Sequence, residues 1–327
     1  MIWNRTPLAG GLLIVLLCSA HSADSPLISG CPIFPPDNLW NRDVSKDPIH
    51  PKSNAYIESI LTGKNKNLRA DFAADPQFGI PFNVVSGMQA KVPIKINEFA
   101  DESDPGPYPI PHDAKIEAGD DKHLIVLDKD NCILYEMFNV KLVNGLWNCD
   151  SAAKFNLRSN ALRPKGWTSA DAAGLPILPG LVRYDEIATG EINHALRFTV
   201  HSTQRAFLPP ATHQGMTQNP DDPPMGLRLR LKADFDISAY SGASKIILSA
   251  LKKYGMFVAD RGTDWYISGT SDPRFKDSDL RQLRKVPGSA FEAVTTPEAG
   301  QTAAARTKSK IPPAPIPTSV KSRTPAR

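Results

Sequence analysis

The sequence predicts a mainly β protein: a single β-sandwich or jelly-roll-like domain with a few peripheral helices. Three observations lead there. Short apolar runs of strand length recur from His123 onward, separated by Asn, Asp and Gly turns. Helix-period stripes are few, and the clearest comes late, at Ala243–Tyr254. Nowhere do strands and helices alternate in the way that builds a parallel sheet.

The elements follow in chain order. Arg5, the apolar run Leu8–Leu17 and the small residues from Ser19 to Ala23 have the layout of a removable signal peptide over residues 1–23. The apolar run is too short to span a bilayer, which needs about 20 residues. Residues 24–110 are rich in proline and turn-formers, with one short helix expected at Asn54–Leu61. His123–Asp128 and Ile133–Val140, separated by Lys129-Asp130-Asn131, predict a hairpin. Asn144-Gly145 marks a second turn, with Ala153–Leu157 as the strand after it. Leu181–Tyr184 and Ala195–Val200 read as strands joined by a short segment containing Gly190.

Leu227–Leu231 alternates Leu with Arg, the pattern of a half-exposed strand. In the helix Ala243–Tyr254, Ser241 stands at the N-cap and Gly255 at the stop. Met256–Ala259 and Trp265–Ser268 are strands around Asp260-Arg261-Gly262, and a short helix at Ser278–Leu283 precedes a strand at Phe291–Val294. One globular domain over residues 24–295 is expected, rather than a division near residue 110. Residues 296–327 hold no aromatic side chain, and are expected to form a disordered, basic, proline-rich tail.

Charge and cysteine usage narrow the function classes. The formal net charge is +4, but Arg306, Lys308, Lys310, Lys321, Arg323 and Arg327 lie in the tail with no acid from Ala299 onward. The body is therefore net negative, and no basic cluster on it suggests nucleic-acid binding. Cys31, Cys132 and Cys149 follow the leader. An oxidising compartment allows one disulfide among them, and spacing alone does not choose the pair. No later run is long enough for a membrane span, so the chain reads as secreted or periplasmic.

The segment from Ser159 to Val200 gathers the candidate chemistry. His194, Asp171, Asp185 and Glu186 are the candidate catalytic residues, because cleaving a glycosidic bond needs one protonated and one ionised group. Arg183, Arg197 and Trp167 are the candidate substrate-binding residues, the arginines to neutralise an acidic substrate and the indole to stack on a sugar. If Ala195–Val200 is a strand, His194, Leu196 and Phe198 share its inward face. Each residue also has a plain structural reading. Thr168-x-x-Asp171 matches a capping box with Gly174 as helix stop, Asp185 and Glu186 can cap the next turn, and His194 can be a hydrogen-bonded core histidine.

Asp101, Glu102, Asp104, Glu117, Asp120 and Asp121, with His123, could supply Ca²⁺ oxygen ligands, but their spacing fits no EF-hand loop and no cofactor is expected. Trp40, Trp147 and Trp265 are further stacking candidates if exposed. No P-loop, G-x-S-x-G, H-E-x-x-H or dinucleotide fingerprint is present.

FPPDNLWN at Phe34–Asn41, DKDNCILYE at Asp128–Glu136, ALRPKGWTSADAAGLPILPGLVRYDE at Ala161–Glu186, PPMGLRLRLKA at Pro223–Ala233 and ALKKYGMFVAD at Ala250–Asp260 resemble an uncharacterised family of secreted bacterial proteins. The resemblance covers roughly residues 31–294. It implies one extracellular domain and a disulfide between Cys31 and Cys132, leaving Cys149 over. It carries no activity. The function expected from the residues is a secreted carbohydrate-active enzyme, a glycan hydrolase or lyase whose partner is a polysaccharide or cell-envelope polymer. The alternative is a non-catalytic glycan-binding or envelope structural protein.

Overall fold

The hairpin expected after His123 forms, as Leu124–Asp128 pairs antiparallel with Ile133–Phe138. The structure is a computed structural model of the chain and describes residues 25–295. The expected signal peptide and tail lie outside the described residues. The Asp128 carboxylate closes the hairpin turn by accepting the amides of Asp130 and Asn131 at 3.2 and 3.1 Å and the Asn131 side chain at 2.8 Å. Ser151–Asn156 adds antiparallel on one side and Phe82–Val85 adds parallel on the other, completing a four-stranded sheet.

Both faces of this sheet are covered. Ile125 and Leu127 face the main core, while Leu124 and Val126 face a second core with Tyr108, Ile110 and Met137. A strand buried on two sides needs an unbroken apolar run, and LIVL supplies it.

The second sheet has six strands in the order Phe291–Ala293, Arg228–Leu231, Met256–Arg261, Leu196–Val200, Tyr266–Ile267 and Arg69–Ala70. Its two central strands, Leu196–Val200 and Met256–Arg261, run parallel, with a register shift between Phe198 and Thr199. The protein is thus mainly β, with the two sheets contributing to one hydrophobic core in a sandwich-like arrangement.

The helix Gly242–Lys253 packs Ile247, Leu248 and Leu251 into that core. It stops at Gly255, which has φ +66° and sits so close to the Leu229 carbonyl that a Cβ would lie 2.2 Å from it. Asn144 and Gly145 both have positive φ and join Lys141–Val143 to Leu146–Cys149 in a small third sheet. Cys31 and Cys132 are disulfide-bonded, their Cα atoms 5.4 Å apart, and Cys149 is free and buried. No described helix is long and apolar enough to cross a membrane.

Five expectations need correction. The strand after Asn144-Gly145 is Leu146–Cys149, with Ser151–Asn156 following it. Leu181–Tyr184 is not a strand: a 3₁₀ turn at Leu178–Gly180 leads through a single bridge at Val182 into the helix Tyr184–Thr189, because Asp185 and Glu186 suit a first helical turn and Gly190 supplies its left-handed stop. Thr168 and Asp171 frame no helix; the Thr168 hydroxyl donates to the Asp171 carbonyl within a turn. Ser241 makes no side-chain cap bond.

Finally, Arg228–Leu231 is buried on both faces. Arg228 donates to the carbonyls of Tyr254, Leu39 and Arg42 and lies 4.7 Å from the Phe257 ring. Arg230 reaches the Val44 and Asp47 carbonyls and pairs with Glu292. The segment from Leu39 to Asp47 therefore lies over the face that the alternation had left to solvent.

Candidate functional site

The expected site residues resolve into two separate ion-pair systems. In the first, the turn after the helix Tyr184–Thr189 returns His194 to Glu186, with Nε2 3.0 Å from Oε1. His194 is fully buried, and its Nδ1 donates to the Ala195 carbonyl at 2.8 Å. Arg183 Nη2 holds the same Glu186 carboxylate at 2.8 Å. Burial pushes the Glu186 pKa up, but His194 and Arg183 outweigh it and leave the carboxyl below its ordinary range. Asp185 stands at the rim, its side chain 60% exposed and 3.4 Å from Arg183 Nε. His194 converges with a carboxylate and a guanidinium as the sequence led one to expect, but inside the core.

The second system pairs Asp171 with Arg197, both buried. Arg197 makes a two-pronged bond, Nε to Oδ2 at 3.1 Å and Nη2 to Oδ1 at 2.9 Å, and its Nη1 donates to the Ser268 hydroxyl at 2.5 Å. Burial raises the Asp171 pKa against the pull of Arg197. Trp167 belongs to neither system. It is half-buried, 5.5 Å from the Arg163 guanidinium. Trp40 and Trp265 are core residues without an open stacking face, and Trp147, like Trp167, is half-buried.

Arg197 is the centre of a larger polar cluster at the junction of the two sheets. Its charge acts on Asp171, Asp260, Glu117, Glu136 and Asp71. Glu136, from the strand Ile133–Phe138, is fully buried and accepts the amides of Ile177 and Leu178 at 2.8 and 2.9 Å. Burial nonetheless lifts its pKa to about 7. Both nitrogens of His123 face acceptors, Glu117 at 2.6 Å and the Ala170 carbonyl at 3.1 Å, an arrangement suited to the imidazolium. Burial lowers the His123 pKa, Glu117 raises it, and the net shift is upward.

Asp260 differs from the rest. It ends the strand Met256–Arg261 half-buried, and its carboxyl accepts only the neighbouring Arg261 amide, at 2.6 Å. Burial and then the Asp171 charge lift its pKa to about 7. A carboxyl that neither pairs with a cation nor fully leaves solvent, and titrates near neutrality, is suited to giving and taking a proton. Asp71 and Asp121 are exposed on the outer side of the cluster. An open groove of about 830 Å³ runs between Phe82–Val84, Pro111–Ile116 and Thr270–Asp272, and its Lys115–Ile116 wall leads along the chain into Glu117.

Sequence reasoning missed Asp260 and Glu136. The available signal was a carboxylate ending or interrupting a wholly apolar strand, as in MFVAD and ILYE, a position where acids are rarely buried without a reason. Three of the six acidic residues considered for Ca²⁺ have other partners. Glu117 pairs with His123, Asp104 with Arg163, and Glu102 accepts the Thr168 amide. Among the described residues no group of three or more His, Cys, Asp or Glu side chains could hold a metal ion. No protein-family model, curated protein or solved structure matches this chain.

Proposed function

We propose that the protein is an extracytoplasmic carbohydrate-active enzyme that cleaves a polysaccharide or cell-envelope polymer, with Asp260 as its proton-transfer group. The observation carrying this reading is Asp260 itself, a half-buried carboxyl without a cation partner beside the Asp171–Arg197 pair. Hydrolysis and elimination both require a group that holds a proton near neutral pH and releases it to, or takes it from, the sugar. The charges of Asp171 and Arg197 act on that group's affinity for the proton. The Glu186–His194–Arg183 system, closed to solvent, supports the neighbouring chain instead. The open groove of about 830 Å³ offers room for a polymer segment, and the Cys31–Cys132 bond suits an oxidising compartment.

The test is to incubate purified protein with a panel of polysaccharides, following new reducing ends and ultraviolet-absorbing unsaturated products. Asp260→Asn should lower turnover by about 10²-fold or more without loss of the fold. Full activity in Asp260→Asn, or no product from any polymer, would overturn the reading.

A further inference from the structure

Beside the Arg197 cluster lies a pocket of about 230 Å³ whose wall includes Arg69, Arg281 and Arg284. Arg69 comes from an edge strand of the six-stranded sheet, and Arg281 and Arg284 from the 3₁₀ segment Arg281–Lys285. The Arg69 Nε donates to the Asn65 side chain at 2.9 Å, and among the described residues none of these three guanidinium groups makes an ion pair. The buried arginines Arg163, Arg183, Arg197, Arg228 and Arg230 are paired with acids or backbone carbonyls. Three guanidinium groups on one pocket wall, none of them in an ion pair, offer donors to an oxyanion.

The rest of the wall is not that of a bare-anion site. Tyr266, Phe72 and Phe78 line the same pocket, Tyr266 half-buried and Phe78 52% exposed. Aromatic rings beside guanidinium groups suit a ligand with both an apolar ring face and a negative charge. The volume is below the roughly 300–1,000 Å³ of pockets for drug-sized ligands, and suits one sugar ring. Asp71 and Asp277 line the pocket too, two acids against three arginines, so the wall keeps a net positive charge.

We infer that this pocket is a subsite for a carboxylate-bearing sugar, with Arg69, Arg281 and Arg284 on the carboxylate and Tyr266 against the ring, so that the polymer is an acidic, uronate-containing glycan. The inference deepens the proposed function and rests on it for the identity of the ligand as part of a substrate. Binding, however, can be measured without turnover.

Short oligomers of galacturonate, glucuronate and mannuronate, with their methyl esters, are titrated calorimetrically into the full-length protein, with inorganic sulfate as the bare-anion control. At least one uronate series should bind, its methyl ester at least tenfold more weakly, and its affinity should fall as salt rises. The exposed pair Arg281→Ala with Arg284→Ala should weaken binding at least tenfold at an unchanged melting temperature. Asp260→Asn should bind like the natural protein while failing to cleave. Ester and acid binding alike, sulfate binding with no uronate binding, or undiminished affinity in the double variant each overturns the inference. None of those results touches the cleavage assay. Conversely, arginine-dependent uronate binding with full cleavage by Asp260→Asn would refute the catalytic assignment and leave the subsite standing.

Discussion

Replacing Asp260 by Asn should stabilise the protein at alkaline pH and leave it unchanged in acid. The carboxyl is raised from 3.8 to about 7 on folding, first by burial and then by the Asp171 charge. An acid with a raised pKa removes stability as pH rises. Below about pH 4 it is protonated in both states and contributes nothing. Between about 4 and 7 the unfolded chain ionises while the folded carboxyl keeps its proton, so unfolding becomes easier. Above 7 both states are ionised and the full penalty persists. At ~1.4 kcal/mol per tenfold change, the shift corresponds to roughly 4 kcal/mol. Solvent reaching a half-buried group screens much of that, leaving about 1–2 kcal/mol.

Asparagine keeps the shape and can still accept the Arg261 amide, but it cannot ionise. Its melting temperature at pH 8 should therefore exceed that of the natural protein by ~3–6 °C, for about 2–4 °C per kcal/mol in a domain of this size. The difference should vanish near pH 3.5. Thermal unfolding followed by circular dichroism across pH 3.5–9 measures it. A variant no more stable at pH 8, or one shifted equally at both ends, would refute the electrostatic account of this residue. A residue kept for chemistry at a cost in stability shows this signature.

Further outcomes follow from the same geometry. Arg197→Met leaves Asp171 buried without its two-pronged partner and should cost about 3–5 kcal/mol in urea unfolding. Adding Asp171→Leu should recover part of that loss, and strict additivity of the two changes would argue against a coupled pair. His194→Ala removes a fully buried ring bonded to Glu186 and the Ala195 carbonyl, and should destabilise by about 2–4 kcal/mol. A melting temperature within a degree of the natural protein would contradict that role.

At Gly63 a Cβ would fall 1.8 Å from Asp264 Oδ2 and 2.7 Å from His201 Nδ1, two groups hydrogen-bonded to each other at 2.7 Å. Gly63→Ala should then cost about 1–3 kcal/mol and shift the His201 ring resonances in an NMR spectrum. Unchanged resonances would show that the contact is slack.

Signals written in neighbouring residues carried much of the fold. The hairpin around Asp128–Asn131, the Asn144-Gly145 turn and the helix ending at Gly255 are each specified by turn chemistry or by a stripe within a dozen residues. Short elements without such punctuation were harder. Leu181–Tyr184 is as apolar as a strand, yet the two acids that follow turn it into the entrance of a helix.

The candidate site was legible in part. The stretch from Ser159 to Val200 does contain the ionic centre, and Glu186 does meet His194. That Arg197 bonds Asp171, 26 residues earlier in the chain, and that Asp260 and Glu136 gather around the pair, depends on the order of strands in two sheets. Local sequence carries no information about that order.

The amino-acid pattern by itself determined most of the strands, turns and helices, because those preferences come from side-chain sterics and hydrogen bonds a few residues apart. Which charges are buried was decided only by the tertiary structure. In Arg228–Leu231 the alternation is real, but whether its arginines meet water or protein depends on a segment as far as 189 residues away, whose carbonyls receive them. The cost of desolvating a charge is met or not met by partners, and distant parts of the chain supply the partners only once the sheets have assembled.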